Sequence, residues 1–313
     1  MISVLSSPRS WVTFISISLF LSGCFSPQQR LPFAPIPAPL TFKSDSPKSL
    51  TAISLPPQEY EAFLKVMKAA HPQILQSRPI GEVIQAIAEQ FLGTPYEAEL
   101  LEHSPTERLF LSLKHFDCVL LIETVVALAH NAIQHDNSVS HFAQNVESLR
   151  YRSGHLDGYC SRLHYFSDWI ADNERRGLVQ NLTAKLGGIP LPQTFKFNFM
   201  SEHRKLYPQL KDESAFQCLK QVEARLSQSH LTYIPTPNIR NLYPQLQAGD
   251  LVAVVTTISG LDVTHTGLIE RRNNNTVSLI HASPGRAVQR DLDLQTYISR
   301  VPMSVGIFVV RPL

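Results

Sequence analysis

The chain has 313 residues, 43% hydrophobic and 17% charged, with a formal net charge of +2 from 28 Lys+Arg against 26 Asp+Glu. That much apolar material at that length excludes disorder as the main state, and the near balance of charge leaves no basic field to hold nucleic acid. With only four cysteines, a disulfide-dense scaffold is excluded too, so Cys24, Cys118, Cys160 and Cys218 each need their own explanation.

Residues 1–23 carry one early positive charge, Arg9, and then an apolar stretch rich in Ser and Thr. The stretch is short of the roughly 20 apolar residues a membrane span needs, and it reads as an export signal. It ends in Leu21-Ser22-Gly23-Cys24, which resembles a bacterial lipobox. That resemblance implies cleavage before Cys24 and diacylglycerol on its thiol. Residues 24–50 follow with Pro27, Pro32, Pro35, Pro37, Pro39 and Pro47. Proline at this density gives extended, polyproline-like chain, here a tether between an anchor and a folded body over 51–313. The expectation is an exported, membrane-anchored lipoprotein facing the periplasm or cell wall.

Within the body, Ile80, Val83, Ile84, Ile87 and Phe91 follow helical spacing, with Pro79 suited to the first turn and Gly93 to the stop. A second helix starts near Cys118 and is apolar nearly all round to Ala129, so it is predicted to be buried. Further helices are expected near 140–150, 161–176 and 212–229. The period then changes. Segments 250–258, 264–271, 276–282 and 304–311 are short and rich in Val, Ile and Thr, with Gly or Asn between them. Helices followed by strands joined by tight turns predict an α+β fold with an antiparallel sheet.

The chemistry concentrates at few positions. Asp117 can cap the helix that Cys118 begins, and free N–H groups at a helix start favour a thiolate. The expectation is therefore a thiol of lowered pKa. Its base should come from a strand, which selects His265 and His281 among the 12 histidines. A three-residue hairpin, Arg272 to Asn274, sets these two histidines directly opposite each other; a two-residue turn sends them to opposite faces. Gly267, two residues after His265, leaves room beside the imidazole. In this reading Cys118 attacks an amide carbonyl, His265 moves the proton and His281 orients His265. The Cys118 N–H and Tyr96 meet the oxyanion. No cofactor or metal is called for.

These residues, in Leu92-Gly93-Thr94-Pro95-Tyr96, Phe116-Asp117-Cys118 with Glu123, Asp262-Val263-Thr264-His265-Thr266-Gly267 and Leu279-Ile280-His281-Ala282-Ser283, resemble the NlpC-type, papain-like cysteine hydrolases of bacterial cell walls. The order Tyr, Cys, His, His is that family's order. The middle segment, from Arg150-Tyr151-Arg152 through Asp157-Gly158-Tyr159 and Ser161-Arg162-Leu163-His164-Tyr165-Phe166 to Trp169, is similar to the N-acetylmuramoyl-L-alanine amidase-like branch. The resemblance implies a papain-like α+β fold, with the nucleophile at a helix start packed on an antiparallel sheet carrying the histidines. It also implies a branch-specific helical insertion near 137–235. The activity implied is cleavage of the amide between N-acetylmuramic acid, preferably in its 1,6-anhydro form, and L-alanine in peptidoglycan fragments. Ser161, Arg162 and His164 are then the substrate-binding candidates.

Two other activities stay open. One is a γ-D-glutamyl-diamino acid endopeptidase using the same triad. The other is a non-catalytic lipoprotein that binds muropeptides. Zinc chemistry is disfavoured, since no His-Glu-x-x-His pattern occurs and Cys118 would go unused. Cys160 and Cys218 have no assigned task. They could pair outside the cytoplasm, but sequence does not bring them within reach of each other.

Overall fold

A computed structural model describes residues 55–70, 78–192, 194–272 and 276–313. The segments expected to be an export signal and a Pro-rich tether, with Cys24, lie outside these residues. Helices α1 (Pro57–Ala70) and α2 (Ile80–Gln90) precede α3 (Cys118–Ile133), α4 (Val139–Arg150) and α5 (Phe166–Arg175). Short strands β1 (Val179–Asn181) and β2 (Ile189–Pro190), helices α6 (Phe199–Glu202) and α7 (Glu213–Leu226), and β3 (Thr232–Pro235) come next. The chain ends with β4 (Leu251–Thr256), β5 (Val263–Arg271), β6 (Val277–Ala282), β7 (Val288–Asp291), α8 (Leu294–Ile298) and β8 (Ser304–Pro312). The fold is α+β, as the change of period predicts.

The strands pair antiparallel in the order β2-β3-β8-β4-β5-β6-β7, with β1 also on β8. Successive strand residues point to opposite faces, so the sheet divides the core in two. Leu251, Ala253, Val255, Leu268 and Ile280 join α2 and α3 through Ile84, Ile87, Leu121 and Val125. Val252, Val254, Ile269 and Leu279 join Ile239, Leu242, Leu294 and Ile298 on the other face. Helix α3 is buried on nearly every side from Leu120 to Ala129, which explains its lack of a polar stripe. Each fully buried Leu, Ile or Val there contributes about 1.5–3 kcal/mol.

A third cluster, including Tyr159, Tyr165, Phe197, Met200 and Leu219, gathers around α7. Residues 137–235 are thus shared between this cluster and the main core, to which α4 and α5 contribute Phe142, Val146 and Trp169. Cys160 and Cys218 form a disulfide, with Cα atoms 6.1 Å apart, tying the turn Tyr159–Ser161 to α7. The pairing that sequence left open is therefore made.

The β5–β6 hairpin corrects one expectation. Pairing begins at Arg271↔Val277 and runs through Leu268↔Ile280. Five residues, Arg272 to Thr276, bridge the strands instead of three. The parity is the expected one, so His265 and His281 share a face, but the register is two residues further on. His281 consequently faces Gly267, and His265 is its diagonal neighbour. A Cβ at position 267 would sit 3.0 Å from the Cβ of His281 and 2.9 Å from the Ile280 carbonyl oxygen. The glycine is what allows this close approach.

Candidate active site

Helix α3 starts where the chain turns in from an extended segment. Asp117 (φ −87°, ψ 179°) accepts the Leu120 N–H at 2.7 Å, satisfying one first-turn donor. The Thr266 hydroxyl donates to the Cys118 carbonyl at 2.8 Å, fastening the helix start to β5 beside His265. Cys118 is a free, half-buried cysteine that lines a cavity of about 270 Å³. Asp117, His265 and Thr266 line the same cavity, and Glu102, Arg162, His164 and Tyr165 line it too.

The thiol does not behave as the helix start alone predicts. Burial and the Asp117 carboxylate push Cys118 up to about 11. Burial, with the neighbouring His281, pushes His265 down to about 3. Desolvation outweighs the partial positive charge of the first turn. The resting pair is therefore a neutral thiol and a neutral imidazole, not the thiolate expected from sequence.

His265 Nε2 lies 2.7 Å from His281 Nδ1, and the rings meet at 89°. The other nitrogen of His281, Nε2, lies 2.7 Å from Asp291 Oδ2 at the end of β7. Burial holds His281 below its usual range, against the pull of Asp291. The Tyr297 hydroxyl, on α8, is 3.4 Å from His281 Nδ1. Tyr96 is fixed by backbone bridges Pro95↔Ala287 and Tyr96↔Phe116. Burial, then the proximity of Cys118 and Asp117, push its phenol up to about 12, so it remains a donor.

The substrate-binding candidates separate. The Ser161 hydroxyl donates to the Gly158 carbonyl at 2.7 Å and accepts the Asp157 N–H at 2.9 Å, closing its own turn away from the cavity lining. Arg162 reaches the cavity, but two arms of its guanidinium go to Glu102 at 2.5 Å and the Leu101 carbonyl at 3.3 Å, and its buried Nε lies 3.5 Å from Glu107 without a hydrogen bond. His164 is better disposed. Its Nε2 meets the Tyr159 carbonyl at 2.8 Å and its ring packs on Tyr159. Burial, then the Arg162 charge, hold it well below the usual histidine range. A carbonyl only accepts, so Nε2 carries the proton and Nδ1 keeps a lone pair.

Sequence reasoning missed Asp291 and Tyr297. Strand β7 is only four residues long, and its pairing Leu279↔Asp291 could not be read without the fold. Tyr297 follows the Asp293 cap of α8, a recognisable start signal, but nothing local aims its hydroxyl at His281. Among the described residues, no group of three or more His, Cys, Asp or Glu is arranged to hold a metal ion.

The AmiA-like family model, described as N-acetylmuramoyl-L-alanine amidase-like, matches residues 86–307. The chain belongs to this amidase-like family. An N-acetylmuramoyl-L-alanine amidase from Bacteroides uniformis is similar at 31% identity and a TM-score of 0.70, over 75% of this chain and 99% of that one. A Bacteroides fragilis protein provisionally named a xylanase is similar at 32% identity and a TM-score of 0.67, over 72% and 98%. A Legionella pneumophila protein from a family of unknown function, at 23% identity and a TM-score of 0.59 over 82% and 95%, shares the fold. No curated protein matches the chain.

Proposed function

We propose that this amidase-like protein hydrolyses the amide between the lactyl group of N-acetylmuramic acid, in its 1,6-anhydro form, and L-alanine in peptidoglycan fragments. The observation that carries the reading is that His265, hydrogen-bonded to the buried His281, lines the cavity that also holds the free Cys118. The sulfur of Cys118 attacks the amide carbon as His265 Nδ1 takes its proton. The proton then passes to the departing amine of L-alanine, leaving a thioester. Water, deprotonated by His265, attacks the thioester and returns the thiol. Because thiol and imidazole are both neutral at rest, proton transfer accompanies attack. The oxyanion meets the Cys118 N–H and the Tyr96 hydroxyl. His164 Nδ1 accepts a hydrogen bond from a sugar hydroxyl or peptide N–H, and Arg162 shapes the wall behind it.

The papain-like, NlpC-type ancestry belongs to the same proposal. It is supported by the order Tyr96, Cys118, His265, His281 and by a nucleophile at a helix start beside antiparallel strands. So does the lipid anchor on Cys24, which rests on Leu21-Ser22-Gly23-Cys24. Glycoside hydrolysis, the chemistry of a xylanase, would need a pair of free carboxyl groups. Four of the carboxylates that line the cavity are engaged: Asp117 caps α3, Glu123 bonds Arg150 at 2.7 Å and Trp169 at 3.2 Å, Glu102 pairs with Arg162, and Asp262 accepts the Ser167 N–H at 2.7 Å, which leaves the exposed Glu99 rather than a pair.

The test is peptide release from a purified anhydro-muropeptide by wild type, by Cys118→Ala and by wild type with a chelator. Release that is lost in Cys118→Ala and unchanged by chelation is expected. Release by Cys118→Ala, or loss reversed by adding back metal, refutes the thiol mechanism.

A further inference from the structure

We infer that Asp291 is a positioning residue of the site, which selects the ring tautomers of His281 and His265 that let His265 accept the thiol proton. The inference rests on the Cys118–His265 reading and adds a member that lies outside it.

The argument is one of donors and acceptors. An ionised carboxylate only accepts hydrogen bonds. At 2.7 Å from Asp291 Oδ2, His281 Nε2 must therefore carry a proton. A neutral His281 then has its lone pair on Nδ1. That atom is 2.7 Å from His265 Nε2, so His265 must carry its proton on Nε2 and donate it. His265 is left with a lone pair on Nδ1, the nitrogen free to take a proton from Cys118. Each step permits only one assignment once the carboxylate is in place.

Without the carboxylate the chain can run backwards. His281 is then free to carry its proton on Nδ1 and donate to His265 Nε2, which places the proton of His265 on Nδ1. An N–H at that atom cannot accept from a thiol. Asp291 thus acts at a distance, through two rings, on which nitrogen of His265 is basic. When His265 becomes an imidazolium, the negative end of the chain also favours it, since Asp291 pulls both rings upward against burial. The other titratable groups near the rings are Tyr297 and Cys118, both neutral around pH 7. Asp291 is itself steadied by the Gln289 amide at 3.2 Å.

The register of the sheet builds the arrangement. His281 pairs with Gln289 across β6 and β7, and Asp291 is two residues further along on the same face. His265 is the diagonal neighbour on the other side, over Gly267. Three polar side chains from three adjacent strands, β5, β6 and β7, therefore line up on one face.

The test compares full-length wild type, Cys118→Ala, Asp291→Asn, Asp291→Ala and Asp291→Glu on an anhydro-muropeptide, with the pH profile of kcat. Loss in Cys118→Ala establishes that the thiol reading holds in the same assay. Asp291→Ala is then expected to lose about 10- to 100-fold in kcat with KM little changed. Asp291→Asn should lose less, because its carbonyl still accepts from Nε2, and Asp291→Glu should recover part of the rate. With the charge gone, the acidic limb of the profile moves to lower pH, which a merely structural role would not cause. Independently, ¹⁵N NMR of the histidine rings in wild type should show His265 and His281 both protonated on Nε2, and this decides the matter even if the variants fail to fold. Unchanged kcat and acidic limb in Asp291→Ala, or a wild-type His265 protonated on Nδ1, overturns the inference. Activity in Cys118→Ala would instead overturn the thiol reading itself.

Discussion

The two walls of the cavity are made by different means. The wall with His265 is regular sheet, and backbone pairing sets where each side chain points. The other wall, Arg162 to Tyr165 with the turn Tyr159–Ser161 behind it, is irregular chain. It is held by Arg162 on Glu102 and Glu107, by the Tyr151 hydroxyl on Glu107 at 2.8 Å, and by the disulfide to α7. One wall takes its precision from register, so only a few side chains are needed to align the chemistry. The other takes its shape from long-range partners, so most of its polar groups are spent on each other. This is why His164 keeps a free acceptor while the Ser161 hydroxyl closes its own turn and the Arg162 guanidinium donates to Glu102 and the Leu101 carbonyl.

Substitutions separate the two walls. On the sheet wall, His265→Ala removes the base and should lower kcat/KM by about 10⁴-fold, roughly 5.5 kcal/mol, well beyond the stability it loses by unpairing His281. On the other wall the reverse holds. Arg162→Ala leaves buried carboxylates without their cation and should cost about 3–5 kcal/mol of stability in denaturant unfolding. Cys218→Ser opens a link between residues 58 apart in sequence and should cost about 2–4 kcal/mol, with KM rising more than kcat falls.

Acidification strikes both walls, through His164 on one and His265 on the other, both held below their unfolded values. His265 is held far below its unfolded value, so the unfolded chain binds more protons between about pH 3 and 6.5. Its contribution is complete above about pH 6.5 and is lost as pH falls. From pH 7 to 5 unfolding should become easier by about 2 kcal/mol from this group, as urea titrations at the two pH values would register. Stability unchanged over that range would contradict a buried neutral His265. The smallest effect expected is from Gly267→Ala. Its new methyl group must displace Ile280 or His281, at a cost of about 1–2 kcal/mol, and activity should fall more than stability implies.

Legibility follows the same division. Helices α2, α3, α4 and α7 and strands β4, β5, β6 and β8 announce themselves by period or by an unbroken apolar run, because each buries one clear face or, for α3, β4 and β6, nearly all of it. Asp117, Cys118, His265 and His281 are readable because a helix start and strand parity are local properties. The exact register is not, since it depends on where pairing resumes after Arg272. Nor is the thiol's environment: the sequence shows the helix start but not the burial that overrides it. Asp291 sits on a strand too short to carry a period, and the Cys160–Cys218 link joins segments that only the folded chain brings together.

The most direct measurement is mass spectrometry of the products from an anhydro-muropeptide carrying its stem peptide. The account predicts an intact peptide with a free amino-terminal L-alanine and a sugar stripped of amino acids, both absent with Cys118→Ala. A sugar still bearing L-alanine and D-glutamate, with the diamino acid released, would contradict it.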